Sequence, residues 1–249
     1  MINSSNAHQH QLSIELSDAQ IRFAILKGKE LVKSFSENIN EKSRSEVERV
    51  IKNNADLDFD FGDVTLSYSE QKSTLVPVQM ITDSQPEKLF KFCYGDVKEN
   101  IDYNRIPELG LANIFQIPLW VKSAFVINFP VINIYHSNTI FLKGIFNETV
   151  FKPKAHVLIY EDYFHLILVS KTHLLLSNSF IYKSSEDVIY HLLFALDQKE
   201  ISKNDVEVHL YGEHITEDLI SKLKRELKNT QDHSTKHKHF ILQSQSLCV

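Results

Sequence analysis

Glycine is scarce, with six in 249 residues. A phosphate-cradling loop needs it, because backbone N–H groups must approach the ligand closely and a Cβ obstructs them. A chain this poor in glycine leaves little room for a long Gly-rich nucleotide loop. Proline also numbers six, and cysteine only two. Cys93 and Cys248 stand far apart and form no CxxC pair, which argues against a disulfide scaffold and fits a reducing compartment. Basic residues are not in excess: 27 Lys and Arg stand against 32 Asp and Glu, for a net charge of −5. The electrostatic footprint of a nucleic-acid binder is missing, so no nucleic-acid partner is expected. No run approaches the roughly 18 apolar residues of a membrane span. The N-terminal MINSSNAHQHQLS lacks the basic and apolar regions of a secretory signal. A cytoplasmic protein without a membrane span is the resulting expectation.

The composition is otherwise that of a globular protein, 43% apolar and 24% charged. The length suits one large domain or two small ones. Residues 1–10 are polar and expected to fray. Leu12, Ile14 and Leu16, then Ile21, Phe23 and Ile25, then Leu31-Val32 and Phe35 mark three short strands with tight turns between them. Val47, Val50 and Ile51 give the next segment one helical stripe. Residues 63–68 and 73–81 pattern as a hairpin, with Pro77 suited to an edge. A helix over 86–94, a strand over 112–117, a helix to about 128, a strand over 131–135 and a helix through about 146 complete a first part. The second restarts near Lys152-Pro153 with another three-strand meander over 157–176. A helix over 186–196, a strand over 206–210, a helix from Thr216 and a final strand over 240–242 follow.

The two parts match when shifted by 145 residues: Ile14 falls on Ile159, Ile21 on Leu166, and Ser34-Phe35 on Ser179-Phe180. The order β-β-β-α-β-α-β occurs twice, which reads as an internal duplication. That order is the ribonuclease H-like topology, and two such units in tandem make an actin-like ATPase architecture. The expected fold is therefore α/β with mixed sheets: a first lobe over 11–150 and a second over 151–249, meeting near 147–155. Particular segments strengthen this. SNSFIYKSSEDVIYHLLFALDQKEI (177–201) with VEVHLYGE (206–213), VTLSYSEQKSTLVPVQM (64–80) and LANIFQIP (111–118) resemble a bacterial family of uncharacterised proteins with an actin-like fold. The resemblance runs over nearly the whole chain from about residue 11. It implies the fold and assigns no activity.

The chemistry of true actin-like ATPases is hard to find. Their phosphates sit on a turn of the form acid-x-Gly between the first two strands of each lobe. Here the first turn is Glu15-Leu16-Ser17-Asp18-Ala19 and the second is Tyr160-Glu161-Asp162-Tyr163-Phe164, neither with a glycine. Where a glycine pair would contact adenosine, Leu210-Tyr211-Gly212-Glu213 keeps one. Glu15, Ser17, Asp18, Asp162, Gly212 and Glu213 are therefore the candidate remnants of a cleft site, and no catalytic residue is expected. A two-metal nuclease would need converging carboxylates. The candidates are Glu161, Glu186 or Asp187, and Glu213 in the second lobe, and Glu15 with Glu46 or Glu48 in the first, where Asn113 and its neighbours supply no acid on the fourth strand. Glu186 and Asp187 read more simply as serving a helix N-terminus, and Glu161-Asp162 as a solvated turn. The histidines lack metal-ligand spacing, and Cys93, between Phe92 and Tyr94, reads as a small buried residue. No metal and no cofactor are expected. Two functions fit. One is an inactive actin-like module that binds protein partners, with a homo-oligomer open. The other is an enzyme or phosphate-ligand binder that uses the cleft through different residues.

Overall fold

The structure, a computed structural model, describes residues 6–81, 85–146, 151–235 and 237–248. The chain forms two compact units. Met1–Lys143 and Ile241–Val249 make the first, and Gly144–Phe240 the second.

In the first unit the elements are β1 (Gln11–Leu16), β2 (Gln20–Lys27), β3 (Glu30–Asn38), α1 (Arg44–Asn53), β4 (Asp63–Tyr68), β5 (Ser73–Pro77), α2 (Gln85–Tyr94), β6 (Asn100–Ile106), β7 (Leu111–Ile117), α3 (Leu119–Asn128), β8 (Asn133–His136) and α4 (Ser137–Ile145), whose last two residues fall in the second unit. The main sheet has the order β3-β2-β1-β4-β8, antiparallel across the meander and parallel from β1 to β4 and β8. Period two in β1 and β2 sends Leu12, Ile14, Leu16, Ile21, Phe23 and Ile25 to one face. There they are fully buried in a core completed by α1 and α3. Ser43 caps α1 by accepting from the Glu46 N–H.

The second unit contains β9 (Lys154–Ile159), β10 (Tyr163–Ser170), β11 (His173–Ile181), α5 (Ser185–Gln198), β12 (Glu207–Tyr211), α6 (Glu217–Glu226) and β13 (Thr230–Asp232). Its sheet, β11-β10-β9-β12-β13, repeats the strand order of the first. Ser184 and Asp187 close a capping box at the start of α5, and Thr216 caps α6. Val188, Leu192 and Leu196 of α5 pack with Leu219 and Leu223 of α6 over Val157, Ile159, Val208 and Leu210.

Several expectations are corrected. The segments over 63–68 and 73–81 are not a hairpin. β4 joins the main sheet, while β5 pairs with β7 in a separate three-stranded sheet, β5-β7-β6, whose third strand the polar sequence of β6 conceals. Pro77 does end an edge strand. Phe240–Ser244 is a helix, α7, and the fifth strand of the second unit is β13. Residues 241–249 belong with the first unit rather than the second. Leu242 packs on Ala24 and Leu26, and Gln245 donates its Nε2–H to the Ile14 carbonyl at 2.9 Å. Residues 6–10 are not frayed: Ala7–Gln9 form a 3-10 turn with Ala7 fully buried. The expected junction near 147–155 falls partly outside the described residues. Cys93 is exposed rather than buried. The two meanders also correspond by 143 residues, not 145. Ser17 donates its N–H to the Gln20 carbonyl as Tyr160 does to that of Tyr163. The two-residue slide preserves the alternation, so apolar positions coincide under either offset.

Leu192 is fully buried on the inner face of α5. Leu192→Ala should cost about 2–5 kcal/mol in urea denaturation. A cost below about 0.5 kcal/mol, as at an exposed site, would contradict this packing.

Candidate functional site

In the first unit the turn between β1 and β2 is held by its own residues. The Ser17 hydroxyl donates to the Gln20 carbonyl at 3.0 Å, alongside the Ser17 N–H. Asp18 projects outward and pairs with Lys42 at 2.7 Å. The Lys42 ammonium also donates to the Ser69 carbonyl at 2.8 Å and lies 4.8 Å from the centre of the Tyr68 ring. Its side chain is only 12% exposed, so this cation is fully engaged. Tyr68 is itself buried, and burial first, then the nearby Glu70 and Asp18 charges, raises its phenol far above the usual range. Glu15 does not reach the turn surface. It sits opposite Arg22 in the β1–β2 register and is fully buried, ion-paired with the Arg22 guanidinium. The Ser69 hydroxyl donates to its other oxygen at 3.5 Å.

In the second unit the equivalent turn shows the opposite character. Glu161 and Asp162 are exposed. Tyr160 and Tyr163 stack at 4.8 Å beneath them, and Tyr182 ties the turn down through its N–H to the Asp162 carbonyl and its hydroxyl to the Tyr160 carbonyl at 2.6 Å. Burial, then the charges of Asp162 and Glu161, raises the Tyr182 phenol. Gly212 follows β12 at φ +111°, where a Cβ would collide with the Ile159 carbonyl oxygen. Both the backbone angle and the close approach to β9 demand glycine there, so strand packing accounts for its presence. Glu213 is 3.9 Å from Lys238.

The remaining acids are not gathered. Glu186 and Asp218 share Lys222, and Asp187 serves the α5 N-terminus. Among the described residues, no group of three or more His, Cys, Asp or Glu side chains is placed to hold a metal ion.

What the sequence analysis missed is a row of imidazoles on the sheet face away from α5 and α6. His156 of β9 and His209 of β12 are register partners, and their rings stack at 5.0 Å. His209 Nδ1 lies 2.8 Å from His233 Nε2, and Tyr211 stacks on His233 at 5.1 Å. With Lys154, His237 and Phe240 they line a cavity of about 180 Å³. The signal was present as alternation on the polar faces of β9 and β12. It could not be read there, because only the folded sheet sets the strands side by side. Burial lowers the His156 pKa to about 3, aided by the charges of His209, Lys154 and His233. Burial lowers His209 to about 4, with Lys154 and His233 assisting and Glu207 opposing. His165, elsewhere on β10, is lowered to about 3 by burial alone and lies 2.6 Å from the Ser179 hydroxyl through Nδ1.

Two units of this strand order, each a three-stranded meander joined to parallel strands with helices between, define an actin-like ATPase fold. Solved structures agree. A Bacteroides thetaiotaomicron protein with an actin-like ATPase fold and unknown function superposes with TM-score 0.87 at 22% identity, over 100% of both chains. The PilM-PilN type IV pilus biogenesis complex matches at TM-score 0.57 and 10% identity, over 95% of this chain and 96% of that one. The ethanolamine utilization protein EutJ from Carboxydothermus hydrogenoformans matches at TM-score 0.53 and 7% identity, over 96% and 89%. No curated protein matches. The chain belongs to the family described as a protein of unknown function, DUF3822, which matches residues 2–229.

The depressed imidazoles set a pH dependence. In the unfolded chain a histidine titrates near 6.5, whereas these three stay neutral in the fold until pH 4 or below. Between about pH 6.5 and 4 the unfolded state therefore binds more protons. Stability should be fully present above about pH 6.5 and fall toward pH 4, by up to about 1.4 kcal/mol per pH unit for each histidine. Urea unfolding across this range measures it, and His165→Gln should make the slope shallower. Equal stability at both ends would contradict the burial of neutral imidazoles.

Proposed function

We propose that this chain is a bacterial, cytoplasmic actin-like module that binds protein partners and does not turn over nucleotide. The observation that carries the reading is the pair of turns between the first two strands of each unit. Neither Ser17-Asp18-Ala19 nor Tyr160-Glu161-Asp162 contains glycine. Phosphoryl transfer is catalysed by close positioning and positive potential. In the first turn the nearby cation, Lys42, is already spent on Asp18 and Ser69. In the second, two exposed carboxylates repel a polyphosphate. Gly212 has a packing reason to be glycine, so its retention does not argue for an adenosine site. Glu15, bound to Arg22 in the interior, is unavailable to a metal–nucleotide complex. A role in assembly is consistent with the pilus biogenesis complex that shares the fold.

Thermal unfolding with ATP or ADP and Mg²⁺ tests this. A ligand at 100 times its Kd adds about 2.7 kcal/mol, roughly 5–10 °C for a chain of this size. No shift and no ATP hydrolysis are expected. A shift of that size, or Mg²⁺-dependent turnover, would replace this reading with the enzyme.

A further inference from the structure

The order β5-β7-β6 makes β6 an edge strand. The phase of its hydrogen bonds follows from its neighbours. Val78 donates its N–H to the Gly110 carbonyl, so even-numbered residues of β7 turn their backbone groups to β5 and odd-numbered ones to β6. In the register Asn100↔Ile117 through Ile106↔Leu111, Asn100, Asp102 and Asn104 then face β7. Ile101 and Tyr103 turn their N–H and C=O groups outward. The Tyr103 N–H is held by the Asp102 side chain at 2.8 Å, a local bond that an incoming carbonyl can displace.

Beside this edge lies a cavity of about 710 Å³, lined by Ile101 and Tyr103 and by Pro86, Glu87, Lys88 and Lys91 of α2. A helix standing over an open strand edge is the geometry in which an extended peptide adds as a further strand, with main-chain bonds giving affinity and alternate side chains entering the groove. The charges narrow the guest. Lys91 pairs with Glu87 at 3.0 Å and Asp102 with Lys122 at 2.6 Å. Lys88 and Glu99, both exposed, make no ion pair among the described residues. Antiparallel self-pairing of β6 about Asp102 sets the two carboxylates opposite each other, which disfavours a second copy in that register.

We propose that this groove takes an extended segment of a partner protein as an added strand on β6, with an acidic side chain over Lys88 and a basic one beside Glu99. The proposal rests on the interaction reading above. A displayed library of random short peptides, selected on the full chain, supplies the probe. The strongest selected peptide, made synthetically, should slow amide exchange at Ile101 and Tyr103. Lys88→Glu, on the exposed side of α2, should leave the fold intact and weaken that peptide about tenfold, and exchanging the peptide's acid for lysine should restore it. Ile101→Pro removes an outward N–H without breaking the β6–β7 ladder and should abolish binding. If selection yields no peptide, or if the selected peptide protects other amides and ignores Lys88→Glu, the groove is not the docking site. Peptide binding elsewhere leaves the interaction reading standing. Failure of that reading shows separately, as stabilisation by nucleotide.

Discussion

β1 is buried along its whole length, yet three of its six side chains, Gln11, Ser13 and Glu15, are polar. The apolar half of the strand satisfies itself by packing. The polar half must find partners, because an unpaired buried charge is among the most destabilising features a fold can carry. Its partners come from across the unit. Arg22 of β2 meets Glu15 and Thr65 of β4 accepts from the Gln11 amide at 3.3 Å, while the buried Ser13 hydroxyl has no hydrogen-bond partner among the described residues. The last residues return to the first unit through separate contacts: Leu242 packs on Ala24 and Leu26, and Gln245 bonds the Ile14 backbone carbonyl.

The same requirement shapes the chemistry. The acid near the end of β1, Glu15, is the clearest case. Here that acid is consumed by a guanidinium two strand positions below the turn, and the turn above it is closed by Ser17 and tethered through Asp18 and Lys42. The second unit has no buried acid at the matching place. Its turn is secured by tyrosines instead, with the carboxylates left outside. Each unit thus stabilises its leading hairpin by a different local device.

Much of the fold was legible because it is written in short-range patterns. The two meanders follow from period-two alternation and tight turns, and the caps at Ser43, Ser184 and Thr216 mark α1, α5 and α6 directly. What was not legible depends on pairing between distant segments. β6 is polar, NIDYNRI, and becomes a strand because β7 offers it a ladder. β13 has three residues and exists through its pairing with β12. Phe240-Ile241-Leu242 carries the same apolar triplet as a buried strand and folds as a helix, since a short apolar run does not by itself separate the two. The candidate site divides in the same way. The absence of glycine in both turns is plain in the sequence, whereas the Glu15–Arg22 pair, the engagement of Lys42 and the imidazole row require the sheet to be assembled.

The central claim is that neither leading turn presents backbone N–H groups to a phosphate. Amide chemical shifts recorded while Mg²⁺ and ADP are added report on this residue by residue. The account predicts that the amides of residues 16–19 and 160–164 keep their positions up to millimolar nucleotide. Saturable shifts confined to those two turns would contradict it.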